Sequence, residues 1–289
     1  MERHDGSGLE ARFMSYSADL ASVPGHADRV KPFTDYCIGL LSAEGRKSVE
    51  PLAAVTAPER TAAQHQSLLH LVAQARWSDE AILRRVREHV LPTITRDEPV
   101  QTWIVDDTGF PKKGRHSVGV ARQYCGQLGK QDNCQTAVSL SVATHRGSLP
   151  IGYRLYLPKD WAEDPIRRTT AGVPAEATFQ TKPEIASRLI RQAHADGVPP
   201  AVVLADAAYG SDGKFRAGIA GLGMAYAVGI MPAIAVWRPG EAPLSPKPWS
   251  GRGRRPTRLR HDDTHRPVSA KVLAMELAPD AWQSVVNQR

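Results

Sequence analysis

Apolar positions recur at helical spacing through residues 30–97 and switch to strand-like runs just beyond residue 100. In "FTDYCIGLL", Phe33, Cys37, Leu40 and Leu41 share one helical face. Leu68, Leu71, Val72 and Ala75 repeat the spacing after Pro58. A further helix follows Ser78, a fitting N-cap with acids in the next turn, and carries Leu83, Val86 and Val90 inward until Pro92 ends it. Pro99 closes the helical region. Three strands are then predicted: "VQTWIVDD", the alternating "CQTAVSLSVAT" (Cys134–Thr144) and "GYRLYLP" (Gly152–Pro158). Charged, Pro-containing residues 159–181 read as surface loop. "KPEIASRLIRQAHADG" is a helix by its Pro183 and Glu184 at the start and Gly197 at the end. "PAVVLADAAYG" is a continuous apolar strand, the pattern of a central strand covered on both faces. A short helix near Gly213–Ala220 and a buried strand, "AYAVGI", complete the order: three strands, helix, strand, helix, strand. From residue 232 the chain turns Pro- and Arg-rich, and "VSAKVLAMELAP" reads as one more strand.

The run from Ala217 to Trp237 is uncharged and long enough to span a bilayer. Its four glycines and Pro232 instead favour a helix end, a turn at Gly221–Gly223 and a strand. No membrane association is expected.

Composition adds a polarity to this order. The formal charge of +7 is uneven: residues 1–100 hold 12 Lys/Arg against 14 Asp/Glu, and the remainder 25 against 16. Basicity gathered in one part of a chain suits a polyanion such as nucleic acid, and it also suits plain solubility charge. Six arginines fall between Ser250 and Arg266, either a phosphate-contacting run or a solvated loop. Cys37, Cys125 and Cys134 provide neither a disulfide framework nor zinc-ligand spacing, consistent with small apolar fillers in a reducing cytoplasm. The opening "MERHDGSGLEARFM" lacks the apolar stretch of a secretory signal.

Two predicted strands end in acids, Asp106/Asp107 and Asp206. Side by side in one sheet, their carboxylates would converge at the edge where α/β proteins bind ligands. Carboxylates without His or Cys favour hard cations, Mg²⁺ or Mn²⁺, which can serve phosphodiester chemistry. Lys112, Lys113 and Arg115, close behind, would then engage phosphates. An Asp at a strand end also serves simply as a cap or turn residue, and Tyr209 suits the acid edge and the core equally. Other chemistries lack their motifs. There is no G-x-S-x-G, "GQLGKQ" has Tyr124 and Gln131 where a phosphate loop needs Gly and Ser/Thr, and "GLGMAY" lacks the third dinucleotide glycine. His261 and His265 have zinc-protease spacing, but Asp262 stands where Glu is needed.

"DDTGFPKKGRHSVGVARQYCGQLGKQDNCQTAVSLSVAT" resembles the first catalytic block of insertion-sequence transposases of the insertion-sequence 701 group. "FQTKPEIASRLIRQA" and "VVLADAAYG" resemble the following blocks, "YCIGLLSAEGRKSVEPLA" the N-terminal region and "HRPVSAKVLAMELAPDAW" a later segment. The resemblance implies an α/β fold with a ribonuclease H-like mixed sheet, with which the strand order read from periodicity agrees. The expected layout is an N-terminal helical region (1–99, a possible DNA-end binder), a partial catalytic core (100–231) and the start of a basic, β-rich insertion (232–289). It also implies an Asp-Asp-Glu metal triad using Mg²⁺ or Mn²⁺ on double-stranded DNA: water nicks the terminal inverted repeat, and the released 3′-hydroxyl attacks target DNA. Asp107, followed by Thr108, matches the first triad position, with Asp106 as the alternative, and Asp206 matches the second. Arg252, Arg254, Arg255, Arg258 and Arg260 would contact the DNA backbone, and a homodimer is possible.

The implied third acid lies on a helix beyond the insertion. Of the acids after Asp206 (Asp212, Glu241, Asp262, Asp263, Glu276 and Asp280), none is expected in such a helix, and Glu276 falls on a strand-like run. The family would continue past Trp282, and the final "VVNQR" departs from it. The expectation is therefore the N-terminal two-thirds of a transposase, inactive alone. A non-catalytic DNA-binding fragment that regulates a full-length enzyme, or a remnant without function, is the alternative.

Overall fold

The computed structural model describes residues 6–282, so the "VVNQR" ending lies outside the described residues. Two compact units divide the chain: one runs to Pro99 and includes Thr144–Gly152, the other takes Val100–Ala143 and the chain from Tyr153.

The first unit is built on α1 (Gly6–Ser22), α2 (Ala27–Ser42), α3 (Val49–Thr56), α4 (Thr61–Ala73) and α5 (Asp79–Ile94). Leu20 and Ala21 of α1 are buried with Phe33 and Leu71, and Ile82 and Val86 of α5 pack on them. Ala43, Leu52, Ala53 and Leu68 form a second cluster. The helical region thus includes α1, which the spacing pattern did not mark. Ser78 caps α5 as expected, accepting from the Ala81 N–H at 3.1 Å. Three expectations need correction. Pro92 does not end α5, which runs on to Ile94. A proline this near a C-terminus forfeits a single hydrogen bond, and the Thr95 hydroxyl and N–H both close the last turn on the Leu91 carbonyl. On α2, Leu40 and Leu41 are exposed, because Gly39 turns inward against Leu52. Val72 is likewise exposed, and Ala75 lies beyond the end of α4.

The second unit is an open mixed sheet, the architecture expected of a ribonuclease H-like core. Its strands are β1 (Thr102–Pro111), β2 (Ala121–Cys125), β3 (Lys130–Thr144), β5 (Val202–Ala205) and β6 (Tyr226–Val228), while β4 (Gly147–Leu155) falls mostly in the first unit. They lie in the order β2-β3-β1-β5-β6. β1 is antiparallel to β3 and parallel to β5, and β5 is parallel to β6. The apolar alternation of β1 buries Trp103 and Val105, and the Trp103 indole donates to the Pro199 carbonyl at 2.9 Å just ahead of β5.

Between β4 and β5 lies α8 (Lys182–Ala195), whose capping box (Thr181 and Glu184) and Pro183 fix its start. It buries Ile185, Ala186, Ile190 and Ala193, the apolar side of a four-residue repeat. After β5, α9 (Ala207–Gly210) and α10 (Gly213–Gly221) lead to β6.

Several strands differ from expectation. β1 does not stop at its acids, because β3 pairs along its whole length, from Thr102↔Ala143 to Pro111↔Cys134. β2 was not foreseen. β5 is central, though Val202 is partly exposed, and β6 is an edge strand with Tyr226 and Ala227 exposed rather than a buried one. Residues 159–181 are not simple loop: they contain α6 (Lys159–Ala162) and α7 (Pro165–Thr170). There Trp161 is buried with Val120 and Leu157, donates to the Val120 carbonyl at 2.8 Å and carries the Arg167 guanidinium 3.7 Å above its ring. "VSAKVLAMELAP" is mostly helix. Only Val268–Ser269 (β8) is strand, pairing with Ala235–Val236 (β7), before Ser269 caps α11 (Ala270–Glu276). Ala, Lys, Leu, Met and Glu are strong helix formers, and the Ser cap starts the turn. The uncharged run from Ala217 resolves into α10, a turn and β6, and no helix among the described residues is long and apolar enough to cross a membrane.

Gly210 allows α9 to sit against the end of β6. A Cβ there would collide with the Gly229 carbonyl oxygen and lie 2.7 Å from Val228 Cβ. Gly218, inside α10, has nothing within 4 Å of a Cβ position. Gly210→Ala is therefore expected to lose about 1–3 kcal/mol by overpacking. Gly218→Ala is expected to gain about 0.5–1 kcal/mol from the unfolded chain's reduced freedom. Urea unfolding of the two variants checks the opposite signs.

Candidate active site

The candidate acids are brought to one level by the parallel pairing of β1 and β5. The last paired residues are Val105 and Ala205, so Asp106 and Asp206 come next on neighbouring strands and Asp107 follows. Successive strand residues face opposite sides, so Asp107 shares the side of the buried Trp103 and Val105 while Asp106 is exposed. Asp206 begins α9 as its N-cap, its Oδ1 accepting from the Ala208 N–H at 2.9 Å. Its position is thus fixed by backbone as well as by strand register. The cap role weighed for a strand-end Asp is real for Asp206. Asp106 and Asp107 instead lie within a strand, and Asp106 Oδ1 accepts from the Asp107 N–H at 2.7 Å.

Asp107 is the best-anchored of the three. Its Oδ2 lies 2.7 Å from Lys182 Nζ, and its Oδ1 accepts from the Tyr209 hydroxyl at 3.3 Å. Tyr209 is fully buried, its ring tilted against Phe215 at 6.0 Å, so it belongs to the core and to the acid edge at once. Burial first, then the charge and hydrogen bond of Asp107 and the charges of Asp206 and Asp106, push its phenol far above the ordinary value. All three carboxylates are thus close enough to act on this one phenol. Tyr209 therefore stays a hydrogen-bond donor throughout neutral and mildly alkaline pH.

Lys182 was not singled out from the sequence. It is the first residue of α8, where the helix dipole disfavours a cation, and the Asp107 carboxylate offsets that. Tyr156 adds a ring face 5.8 Å from the ammonium. Nothing local marks the pairing, since the partners are 75 residues apart. Beside this helix start, Phe179, Gln180, Ser187, Arg191 and Lys214 help line a cleft of about 830 Å³.

The basic candidates lie farther off. Lys112, Lys113 and Arg115 are exposed just past β1, and Lys112 lies five residue steps beyond Asp107, about 17 Å along the strand. Asn133 Nδ2 holds this turn by donating to the Lys112 and Gly114 carbonyls. Arg252, Arg254, Arg255, Arg258 and Arg260 are exposed in the segment between β7 and β8, where Leu244 and Arg260 form an isolated bridge.

Three of the six later acids are engaged elsewhere. Asp212 caps α10, and Asp262 Oδ1 accepts from the Thr264 hydroxyl and the Thr264 and His265 N–H groups, which together hold its carboxyl below the usual range. Glu276, expected on a strand, ends α11 and takes both arms of the Arg238 guanidinium at 3.1 and 2.8 Å. His265 stacks on Trp237 at 4.7 Å and bonds the Ala242 carbonyl. Among the described residues, no group of three or more His, Cys, Asp or Glu is gathered as a metal site. The donors at the β1–β5 edge are carboxylate oxygens alone, a set that suits hard divalent cations, and Lys182 shows that Asp107 accepts a cation there.

A family model described as DDE superfamily endonuclease matches residues 19–288. The chain belongs to this DDE endonuclease family. Endonucleases of the DDE family generally use divalent metal ions. The chain is also similar to a probable transposase for insertion sequence element IS701 of Microchaete diplosiphon, with 32% identity over 177 residues. The match takes in 61% of this DDE chain and 42% of that relative's length.

The raised Tyr209 phenol gives this acid edge a signature in alkali. In the unfolded chain it loses its proton near pH 10, while the folded chain keeps it, so stability present below pH 10 is lost as pH rises above that value. Tyr209→Phe removes this share of the loss. In metal-free buffer, the stability advantage of the wild type over Tyr209→Phe is expected to shrink between about pH 9 and about pH 11. Urea unfolding at the two pH values reads it directly, and an unchanged difference contradicts the assignment.

Proposed function

We propose that this chain carries two carboxylate arms of a metal-dependent DNA transposase site and acts on double-stranded DNA at transposon ends. The observation that supports the reading is the β1–β5 register: its last pair is Val105 and Ala205, so Asp106 and Asp107 in β1 and Asp206 just past β5 follow on neighbouring strands. Asp107 and Asp206 would hold Mg²⁺ or Mn²⁺, with Asp106 as the alternative first ligand. A divalent ion bound there supplies Lewis-acid activation of water and charge neutralisation at the departing oxygen.

The protein's own part is positioning. The α9 backbone orients Asp206, and the Tyr209 hydroxyl fixes the rotamer of Asp107. At about one strand length from the acids, Lys112, Lys113 and Arg115 suit a phosphate some nucleotides from the reacting one. The exposed arginines from Arg252 to Arg260 suit sequence-independent backbone contact. A second copy of the chain and target DNA are the further partners of this reading.

A second reading, DNA binding without cleavage by this chain alone, is favoured by a specific observation: Asp212, Asp262 and Glu276 are committed to a cap, a turn and an ion pair. A carboxylate short, the site loses the geometry that in-line attack needs. The chain is expected to bind duplex DNA with an affinity that falls steeply with salt. With the matching terminal inverted repeat and Mg²⁺ or Mn²⁺, it is expected to leave the strand intact. Asp107→Ala is expected to keep or strengthen DNA binding by removing negative charge. Gel-shift titration and end-labelled strand analysis test these outcomes. Specific nicking at the element end overturns the second reading, and salt-independent or absent DNA binding overturns both.

A further inference from the structure

We infer that Lys182 and the divalent cation compete for Asp107, so that metal loading is coupled to DNA binding through this lysine. The inference rests on the metal-site reading above and adds a regulatory step to it. Lys182 Nζ sits 2.7 Å from Asp107 Oδ2, and both side chains are largely buried, at 23% and 18% exposure. The other oxygen of Asp107 is taken by the Tyr209 hydroxyl. An ammonium this close occupies the cation position on the carboxylate, and a second, doubly charged cation cannot share that oxygen without strong like-charge repulsion. Tyr209 presents no such conflict, being neutral.

The lysine is able to leave. Its four-carbon stem is flexible, and its place at the first residue of α8 is one the helix dipole disfavours. Without Asp107 it needs another anion. A DNA phosphate reaching the start of α8 would be that anion; the cleft beside it carries Arg191 and Lys214 together with the acids Glu184 and Asp212. Phosphate and metal then exchange partners with one ion pair. Because coupling between two ligands is reciprocal, each should strengthen binding of the other.

The test uses the 289-residue chain and Mn²⁺, followed by calorimetry and by electron paramagnetic resonance of the free ion. Without DNA, Lys182→Met is expected to bind Mn²⁺ roughly tenfold or more tightly than wild type, the scale set by losing a charge-assisted hydrogen bond. In Lys182→Met/Asp107→Asn that gain should vanish. Mn²⁺ should also tighten wild-type binding to a duplex more than it tightens binding by Lys182→Met. Thermal unfolding gives a second readout: Mn²⁺ should raise the midpoint of Lys182→Met more than that of wild type. Lys182→Gln takes the place of the Met variant if that one does not fold. Equal or weaker Mn²⁺ affinity in the lysine variants overturns the inference and leaves the metal site standing. A gain that survives Asp107→Asn, or equal tightening of DNA binding, also overturns it. No Mn²⁺ binding in any of the proteins removes the metal-site reading and the inference with it.

Discussion

Four residue pairs join β1 to β5, from Thr102↔Val202 to Val105↔Ala205, and the geometry of the candidate site hangs on them. Parallel pairing points both strands the same way, so residues that follow the last pair emerge at the same level. A slip by one residue would turn Asp107 to the opposite face of the sheet. The buried Trp103, Val105 and Val203 resist that slip, because it would expose them. The Trp103 indole adds a polar lock on the Pro199 carbonyl, outside the ladder itself. Core packing and acid placement are thus one constraint seen from two sides.

The two strands then part company. β5 gives way to α9 at Asp206, while β1 continues on β3 for six more residues. That difference gives each acid a distinct environment. Asp206 is exposed and held by backbone, whereas Asp107 is partly covered and held by two side chains from separate elements. Burial of a carboxylate is tolerable only with such partners, and Lys182 and Tyr209 supply a charge and a donor. The hydrogen-bonded phenol also ties the site to the core, since Tyr209 packs on the buried Phe215 of α10.

Much of this was legible from local pattern. α8 is spelled out by Pro183 and Glu184 at its start, and both formed as their chemistry requires, with Thr181 adding the cap. The strand carrying Asp106 and Asp107 and the strand leading to Asp206 were both readable as apolar runs. Their side-by-side pairing, offered as a condition, is what the sheet contains. What pattern missed depends on distant partners. β1 continues through Gly109 and Pro111, residues that normally argue against a strand, because β3 is long enough to pair with them. Trp161 is buried by Val120 and Leu157 although its neighbours are charged. The Lys182–Asp107 pair belongs to no motif at all, being a contact that only the assembled sheet and helix create. Where periodicity erred, in β6 and α11, an apolar run was mistaken for a buried strand. One proved to be a sheet edge, the other a helix begun by Ser269.

As a metal ligand, Asp206 would carry two jobs on one carboxylate, since its oxygen already closes the first turn of α9. This narrows what evolution or an engineer can place there. Asn and Ser keep the cap yet surrender the negative charge, whereas Glu keeps the charge but its longer arm is a poor cap. On that reading the position would tolerate no silent exchange: a replacement would disturb either the cap or the charge, and which of the two would depend on the atom removed.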